Sequence, residues 1–349
     1  MITRGTSHLS NQYDYIKALK DDCDISWLIQ HRRGYNKMPR GNFLEDLDVK
    51  MVDSFDPKKH DVVILHLDQQ CLEESLYDRG KGSLYRELNE VIQGVPKIVC
   101  MHGTPYYPEK MNDIELITKA REVIGSNIMV CNSRMARLQW AYGLEGAKMV
   151  KKGAKDVENL GVPIDNIFAI HHGMDATMFK DLPKEPRVIT MINPGGLDKY
   201  YDRTFLRAVK ELLAERNIVH CHITVDARFK DFEEYSTFIG RSLLYFNPTK
   251  ESCMPRARTE AMLSGVCVLT TPWQDADEII EHGKNGFIIP REPEKVADLI
   301  EHLILDYKTA IAIGQNGKET AKKLFTYERF REQWLEVFME SINRFYAKK

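Results

Sequence analysis

The chain has no long hydrophobic run and no excess of charge of one sign. No stretch of about 18 apolar residues occurs in it, and its first residues do not join a basic leader to an apolar segment. We therefore expect no transmembrane segment, no secretion and a cytoplasmic location. With 49 basic against 51 acidic residues among 349, the chain lacks the positive field that drives general attachment to nucleic acid.

Cysteine is scarce and is not arranged in pairs. The seven cysteines are odd in number, scattered, and never separated by two residues as in a CxxC motif. That pattern favours reduced, packed thiols of a cytosolic protein over a disulfide framework. The sequence also has no internal repeat and no low-complexity segment.

Short apolar runs, each bounded by turn residues, alternate with helical stretches along the whole chain. A first series of predicted strands covers residues 24–30, 61–67, 97–103, 128–133 and 167–173. A second series covers residues 188–194, 220–226, 242–249, 266–271 and 286–290. Apolar runs of this kind are typical of buried parallel strands, and strands that alternate with helices form doubly wound sheets. The sequence therefore predicts an α/β protein with two Rossmann-like domains.

A polar segment with two prolines, residues 180–187, separates the two series. We place the interdomain linker there, because prolines and mixed charge interrupt regular structure. The predicted domains are residues 1–180 and residues 188–325. Apolar residues at helical spacing in the tail predict a last helix, within residues 326–349, that packs back on the first domain.

The most informative segment runs from Asn247 to Thr271. A strand ends there, a polar loop follows, and the loop enters a predicted helix whose first amides and positive dipole end suit a phosphate. Arg256 and Arg258 add positive charge in the first turn. Glu260, one turn further on, can accept hydrogen bonds from two hydroxyls of a ribose. The alternative is an ordinary helix start with solvated charges.

Together with residues 272–290, this segment resembles the C-terminal half of the retaining B-type glycosyltransferases of family 4. The matching motifs are Pro248-Thr249, Glu260-Ala261-Met262, Gly265, Val268, Glu278-Ile279-Ile280 and Asn285-Gly286-Phe287. The resemblance implies a GT-B fold, in which two Rossmann-like domains face each other across a cleft. It also implies transfer of a sugar with retention of configuration, with the donor held by the second domain and the acceptor by the first.

The sequence departs from the family where the transferred sugar is held. The spacing from Glu251 to Glu260 is one residue longer than in the family, so Ser252 occupies the position of the first glutamate. Either Glu251 or Ser252 is expected to position the sugar, which leaves the donor sugar open. By the resemblance, backbone N–H groups of the following loop hold the donor. The donor-binding residues of that loop are Cys253, Met254 and Pro255, of which Pro255 has no N–H to donate.

The donor diphosphate has further candidate contacts after the first strand of the second domain. Lys199 lies where a family lysine binds the pyrophosphate, and Gly195 and Gly196 precede it. The usual arginine is missing, and Arg203 either replaces it or is a solvated helix charge. The donor is expected to be a UDP-linked or a GDP-linked sugar. The residues that contact the base cannot be matched, so the choice between the two bases stays open.

In the first domain, His102 follows a predicted strand at the edge where ligands bind parallel sheets. A lone histidine is usually structural, but the family has a histidine here beside the donor sugar. Ser133 and Arg134 resemble residues that family members place near the donor. Gly5 and Thr6 take the place of the family's glycine-rich loop.

We predict no metal ion and no other cofactor in the reaction. The pairs Asp46/Asp48 and Asp275/Asp277 have the spacing of an Asp-x-Asp motif, but no further oxygen ligands can be identified near either pair.

Three functions remain open at this stage. The first is a glycosyltransferase acting on a saccharide or lipid-linked acceptor. The second is a glycosyltransferase that modifies a nucleic acid base, for which a basic loop offers phosphate contacts; its charges are Arg32, Arg33, Lys37 and Arg40. The third is a non-catalytic subunit that binds a nucleotide sugar, suggested by the missing arginine and the shifted glutamate.

Overall fold

The computed structural model describes residues 2–3, 9–28, 50–52, 54–72, 81–107, 110–192, 198, 200–224, 229–252 and 254–347. These residues form two compact units. The first unit extends to Gly173 and takes up the chain again from Tyr327, and the second extends from Met174 to Thr326.

Twelve strands and eleven helices are identified in these described ranges. The strands are β1 Ile2–Thr3, β2 Ser26–Leu28, β3 Lys50–Val52, β4 Val63–Leu67, β5 Lys97–Met101, β6 Ile128–Cys131, β7 Ile167–Ala169, β8 Glu185–Met191, β9 Val219–Ile223, β10 Ser242–Asn247, β11 Cys267–Thr270 and β12 Phe287–Ile288. The helices are α1 Leu9–Leu19, α2 Lys81–Val91, α3 Asp113–Ile124, α4 Arg134–Lys151, α5 Arg203–Glu215, α6 Phe232–Gly240, α7 Arg256–Leu263, α8 Ala276–Ile279, α9 Pro293–Leu305, α10 Tyr307–Leu324 and α11 Tyr327–Tyr346.

The sheet of the first unit has seven parallel strands in the order β3-β2-β1-β4-β5-β6-β7. The strand order reverses between β1 and β4, which is the doubly wound arrangement of a Rossmann fold. The residues that follow β4, β5 and β6 therefore lie along one edge of the sheet. Ligands bind at that edge in folds of this class.

The sheet of the second unit has five parallel strands in the order β12-β11-β10-β8-β9. Its order reverses between β8 and β10. The six residues of β10 are all buried, because helices cover both faces of a central parallel strand. The loops after β8 and β10 thus start side by side at the switch point, which is the usual ligand position.

Helix α11 packs with α1 on one face of the first sheet. Phe330, Trp334 and Phe338 share a hydrophobic core with Ile64 of β4 and Ile98 of β5. The Trp334 ring meets that of Tyr15 edge to face, with centroids 5.0 Å apart. The last helix of the chain is therefore part of the core of the first unit, because its apolar stripe is buried there.

The boundary between the units lies earlier than the linker expected at residues 180–187. Met174 and Phe179 belong to the hydrophobic core of the second unit, so the first unit ends at Gly173. Helix α6 lies between β9 and β10. No described helix is long and apolar enough to span a bilayer.

Gly173 lies directly against α11, and we expect Gly173→Ala to lower the free energy of unfolding by about 1 to 3 kcal/mol. A Cβ atom at Gly173 would lie 2.8 Å from Cβ and Cγ of Phe330 and 3.0 Å from a ring carbon of Tyr327. Urea denaturation measures the loss. Phe330→Ala removes Cγ, one of the three close atoms, so the double variant should lose less than the sum of the two single variants. Additive losses would show that the clash is not the cause.

Candidate functional site

The carboxylate of Glu260 is fixed inside the second unit, one turn into α7. Only 1% of the residue is exposed. The Tyr235 hydroxyl of α6 donates to Oε2 at 2.5 Å, and Nε of Arg256 lies 3.9 Å from Oε1. A buried carboxylate needs such partners, and each of its oxygens can accept more than one hydrogen bond. The carboxylate of Glu260 is therefore held in place by Tyr235 and Arg256.

The side chain of Arg258 is buried, although the sequence predicts it as a phosphate contact. Its side chain is 1% exposed, and Nη2 donates to Sδ of Met254 at 3.0 Å. Burial lowers the pKa of Arg258, and the nearby Tyr245, Asp275 and Tyr201 oppose that shift. In the part of the chain that the structure describes, Nε has no hydrogen-bond partner. Arg258 is therefore packed inside the second unit, against Met254.

The loop after β10 is held against the loop after β8. Backbone N–H groups of Lys250 and Glu251 donate to the carbonyl oxygen of Tyr200 at 2.8 and 3.0 Å. Glu251 is buried, with 7% of the residue exposed, and Ser252 is half-buried. Met254 is also buried. Both candidate sugar-binding residues, Glu251 and Ser252, thus lie at the carboxyl edge of the second sheet.

Other predicted diphosphate contacts are only partly described. Nε of Arg203 forms an ion pair with Asp198 at 2.7 Å, so the charge of Arg203 is already compensated. Gly195, Gly196, Lys199 and Cys253 lie outside the described residues. Arg291, which the sequence motifs do not include, donates to the carbonyl oxygen of Thr249 at 2.8 Å and to Asp202 at 3.1 Å. The position of Arg291 shortly after a strand was the signal that could have identified it.

In the first unit, His102 forms a pair with His66 at the carboxyl ends of β5 and β4. Nε2 of His102 lies 2.6 Å from Nδ1 of His66. The rings stack with centroids 4.9 Å apart and an interplanar angle of 15°. One facing nitrogen donates the hydrogen and the other accepts it. His66 is not among the residues that the sequence motifs indicate.

A small cavity adjoins His102. Tyr15 and Cys100 line it, and the Tyr15 hydroxyl oxygen lies 3.1 Å from Sγ of Cys100. Burial raises the pKa of the Cys100 thiol to about 12, and the hydrogen bond with Tyr15 opposes that rise. The carboxylate of Asp14 lines the same cavity and accepts a hydrogen bond from Tyr327 at 2.7 Å.

Ser133 and Arg134 lie at the start of α4, and the two have different surroundings. The Ser133 hydroxyl accepts from the N–H of Ala136 at 3.1 Å, so it caps the helix. Arg134 is exposed. Burial lowers the pKa of Arg329 to about 10, and the positive charge of Arg134 adds to that shift. Of the two predicted residues, Arg134 is therefore the one with an exposed side chain.

Most of the remaining predicted site residues lie outside the part of the chain that the structure describes. Gly5, Thr6, the pair Asp46/Asp48 and the basic loop lie outside the described residues. Asp275 is fully buried, whereas Asp277 on α8 is exposed. These two carboxylates thus differ in their access to solvent.

Comparison by sequence matches part of the second unit to a protein family. Residues 207–320 match the family described as "Glycosyl transferases group 1". The uncharacterized glycosyltransferase MJ1069 of Methanocaldococcus jannaschii is 24% identical over 115 residues, which are 32% of this chain and 29% of that protein. Spore coat protein SA of Bacillus subtilis is 30% identical over 87 residues, 24% of this chain and 23% of that protein. The chain thus spans less than a third of either curated relative.

Comparison by structure covers nearly the whole chain. Anabaena Alr3699/HepE in complex with UDP-glucose has a TM-score of 0.65 at 15% identity, over 97% of this chain and 99% of that one. A glycosyltransferase of Rickettsia africae has a TM-score of 0.67 at 14% identity, over 98% and 97%. Sucrose-phosphate synthase of Thermosynechococcus elongatus has a TM-score of 0.62 at 11% identity, over 100% and 99%.

At these identities the structural likeness shows the fold. The prediction of an α/β protein with two Rossmann-like parallel sheets is confirmed. The resemblance to B-type glycosyltransferases is confirmed by the family match and by these structures. The chain therefore carries a glycosyl transferases group 1 domain, at residues 207–320, on the GT-B fold.

Proposed function

We propose that this protein is a retaining glycosyltransferase that transfers a sugar from a nucleoside diphosphate sugar to a saccharide or lipid-linked acceptor. The observation that carries the proposal is the buried carboxylate of Glu260, held by Tyr235 and Arg256 within the matched domain. It lies one turn into the helix entered from the switch point of the sheet. A carboxylate there suits the hydroxyls of a ribose.

The start of α7 suits the donor diphosphate. Pro255 precedes the helix and provides no side-chain cap, so the first-turn amides have no capping side chain to compete with a phosphate. Arg256, whose side chain is 18% exposed, adds positive charge at the same helix end. The resemblance adds Lys199. Arg258 is left out of this set because its guanidinium faces Met254, whereas Arg256 faces Glu260.

The resemblance also assigns roles around the transferred sugar. Glu251 or Ser252 positions it, and His102 donates or accepts a hydrogen bond to it. Crystal structures of the Anabaena protein with UDP and with UDP-glucose favour a uridine donor over a guanosine donor for this chain too.

Screening a panel of nucleotide sugars by thermal unfolding tests the donor assignment. A ligand present at roughly 100 times its Kd stabilises the folded protein by about 2.7 kcal/mol. We expect UDP sugars to raise Tm and to be hydrolysed slowly without an acceptor. Stabilisation without any turnover would instead support a non-catalytic subunit that binds nucleotide sugars. No stabilisation by any nucleotide sugar would contradict the proposal.

We expect the reaction to survive EDTA with less than a twofold change in rate. The leaving diphosphate is assigned to Lys199, Arg256 and the first-turn amides of α7, which supply the charge that a metal would otherwise provide. The measurement is release of UDP with and without chelator, with a Mn²⁺-dependent enzyme in the same buffer to show that chelation is complete. Full loss that Mg²⁺ or Mn²⁺ restores would overturn this assignment.

A further inference from the structure

Three metal-ligand side chains meet on one face of the first sheet. His66 of β4 and Cys100 of β5 are register partners in the parallel ladder. His102 follows Cys100 by two residues, and side chains two apart on an extended segment project to the same face. Nδ1 or Nε2 of each histidine and Sγ of Cys100 all lie within 4.8 Å of one another. The strand pairing therefore brings the three groups together.

We propose that His66, Cys100 and His102 bind a zinc-class transition-metal ion. Zinc–nitrogen bonds are about 2.0 to 2.1 Å long and zinc–sulfur bonds about 2.3 Å, so neighbouring ligands of a tetrahedral ion lie roughly 3.3 to 3.6 Å apart. The two facing histidine nitrogens, now 2.6 Å apart, would separate by less than about 1 Å. Sγ of Cys100 lies within 4.8 Å of the histidine nitrogens, so it would approach each of them by no more than about 1.3 Å.

The donor set selects the class of ion. One thiolate and two imidazoles suit Zn²⁺ and Co²⁺, whereas Mg²⁺ and Ca²⁺ prefer oxygen ligands. Three protein ligands leave a fourth position open, as in zinc sites that accept a water or a substrate. Such a site differs from the Asp-x-Asp motifs considered in the sequence, which offer only carboxylates.

The surroundings compensate the charge of the ion. The Cys100 thiolate and the Asp14 carboxylate, which lines the same cavity, together carry two negative charges against the two positive charges of Zn²⁺. The Tyr15 hydroxyl, already 3.1 Å from Sγ, would donate its hydrogen to the metal-bound thiolate. Hydrogen bonds of this kind to ligand atoms orient them and tune the metal.

Binding of the ion changes the protonation of its three ligands. A coordinating thiol is deprotonated outright, so the Cys100 proton goes to solvent. The hydrogen between His66 and His102 moves to the outer nitrogen of its own ring, which leaves both facing nitrogens with a free lone pair. With both imidazoles neutral, binding of one ion therefore releases one proton.

The site has a consequence for the proposed reaction, and this consequence rests on the proposed function. A metal bound to Nε2 of His102 removes that atom from contact with the donor sugar. Zn²⁺ should then slow transfer, and EDTA should restore it. A loss of activity on chelation would contradict this consequence without touching the evidence for binding.

Cobalt titration of the full-length, reduced and EDTA-treated protein tests the site directly. We expect one equivalent of Co²⁺ to produce a thiolate-to-cobalt charge-transfer absorption, and Zn²⁺ to abolish it by displacement. Cys100→Ser should lose the band. His66→Gln and His102→Gln should each weaken binding by about tenfold or more, the effect of losing a ligand or its support. Circular dichroism and Tm establish that each variant is folded.

Matched controls lie in the same unit. Cys23→Ser removes a partly buried cysteine, and His60→Gln removes a histidine whose Nδ1 faces the carbonyl oxygen of Asp56 at 2.9 Å. Both controls should keep the band and the affinity of the parent. A band that persists in folded Cys100→Ser, or a parent protein that binds no Co²⁺, would overturn the proposal.

Discussion

Replacing Arg258 with alanine is expected to lower the free energy of unfolding of the second unit by about 3 to 5 kcal/mol. The guanidinium is 1% exposed and Asp275 is fully buried. The negative charge of Asp275 stabilises the charged form of Arg258. Removing the arginine takes away a positive charge near the buried Asp275 carboxylate and leaves a cavity where a large, fully buried side chain stood.

Urea denaturation followed by hydrogen exchange in peptides of the second unit measures this loss separately from the first unit. Two variants sharpen the test. Arg258→Met keeps most of the volume, so it should lose less stability than alanine does. Arg256→Ala changes the more exposed arginine on the same helix, and it should lower nucleotide affinity with little effect on unfolding. A stable Arg258→Ala variant that binds nucleotide weakly would mean that Arg258 faces the ligand.

Replacing Glu260 with glutamine should weaken binding of UDP by about 1 to 3 kcal/mol, roughly five- to 150-fold in Kd. Glutamine keeps the shape and one oxygen that can accept from Tyr235, so the fold should remain intact. It loses the charge and one of the two acceptor oxygens offered to the ribose. Titration calorimetry with UDP measures the change.

Glu294→Gln is the matched control for this experiment. Glu294 is an exposed acidic residue in the first turn of α9 in the same unit. Its replacement should leave the affinity within about twofold of the parent, because exposed charges far from a ligand contribute little. Equal affinity in Glu260→Gln and in the parent would mean that α7 does not hold the ribose.

The sheets and most helices could be predicted because buried parallel strands leave a direct trace in the sequence. The runs DVVILHL and SLLYFNPT are apolar because helices cover both faces of a central parallel strand. The bounds of α7 were equally predictable. A proline, which cannot continue a strand, marks its start, and a glycine marks its end. Each of these signals lies within a short stretch of residues, so a single sequence is enough to detect it.

Burial of a charged side chain is not a local property. Arg256 and Arg258 look alike in the sequence, two residues apart at the start of one helix. They differ in the structure because a helix turns 100° per residue, so the two side chains lie on opposite sides of α7. One side faces Glu260, and the other faces Met254. The burial of Arg258 could not be predicted from the sequence, because propensity and spacing do not report tertiary packing.

The pairing of His66 with His102 was also beyond the sequence. His66 lies inside an apolar run, and this pattern indicates only that it belongs to a strand. Only the register of β4 against β5, with His66 opposite Cys100, places it beside the other two ligands. Register between parallel strands depends on long crossovers and cannot be derived from either strand alone.

The anomeric configuration of the released sugar is the most direct test of the central claim. Proton NMR can follow the protein as it hydrolyses an α-linked UDP sugar, before the free sugar equilibrates. A retaining glycosyltransferase releases the α-anomer first together with UDP, and Glu260→Gln should slow that release without changing the anomer. Release of the β-anomer first, or binding of UDP sugars with no cleavage at all, would contradict the account.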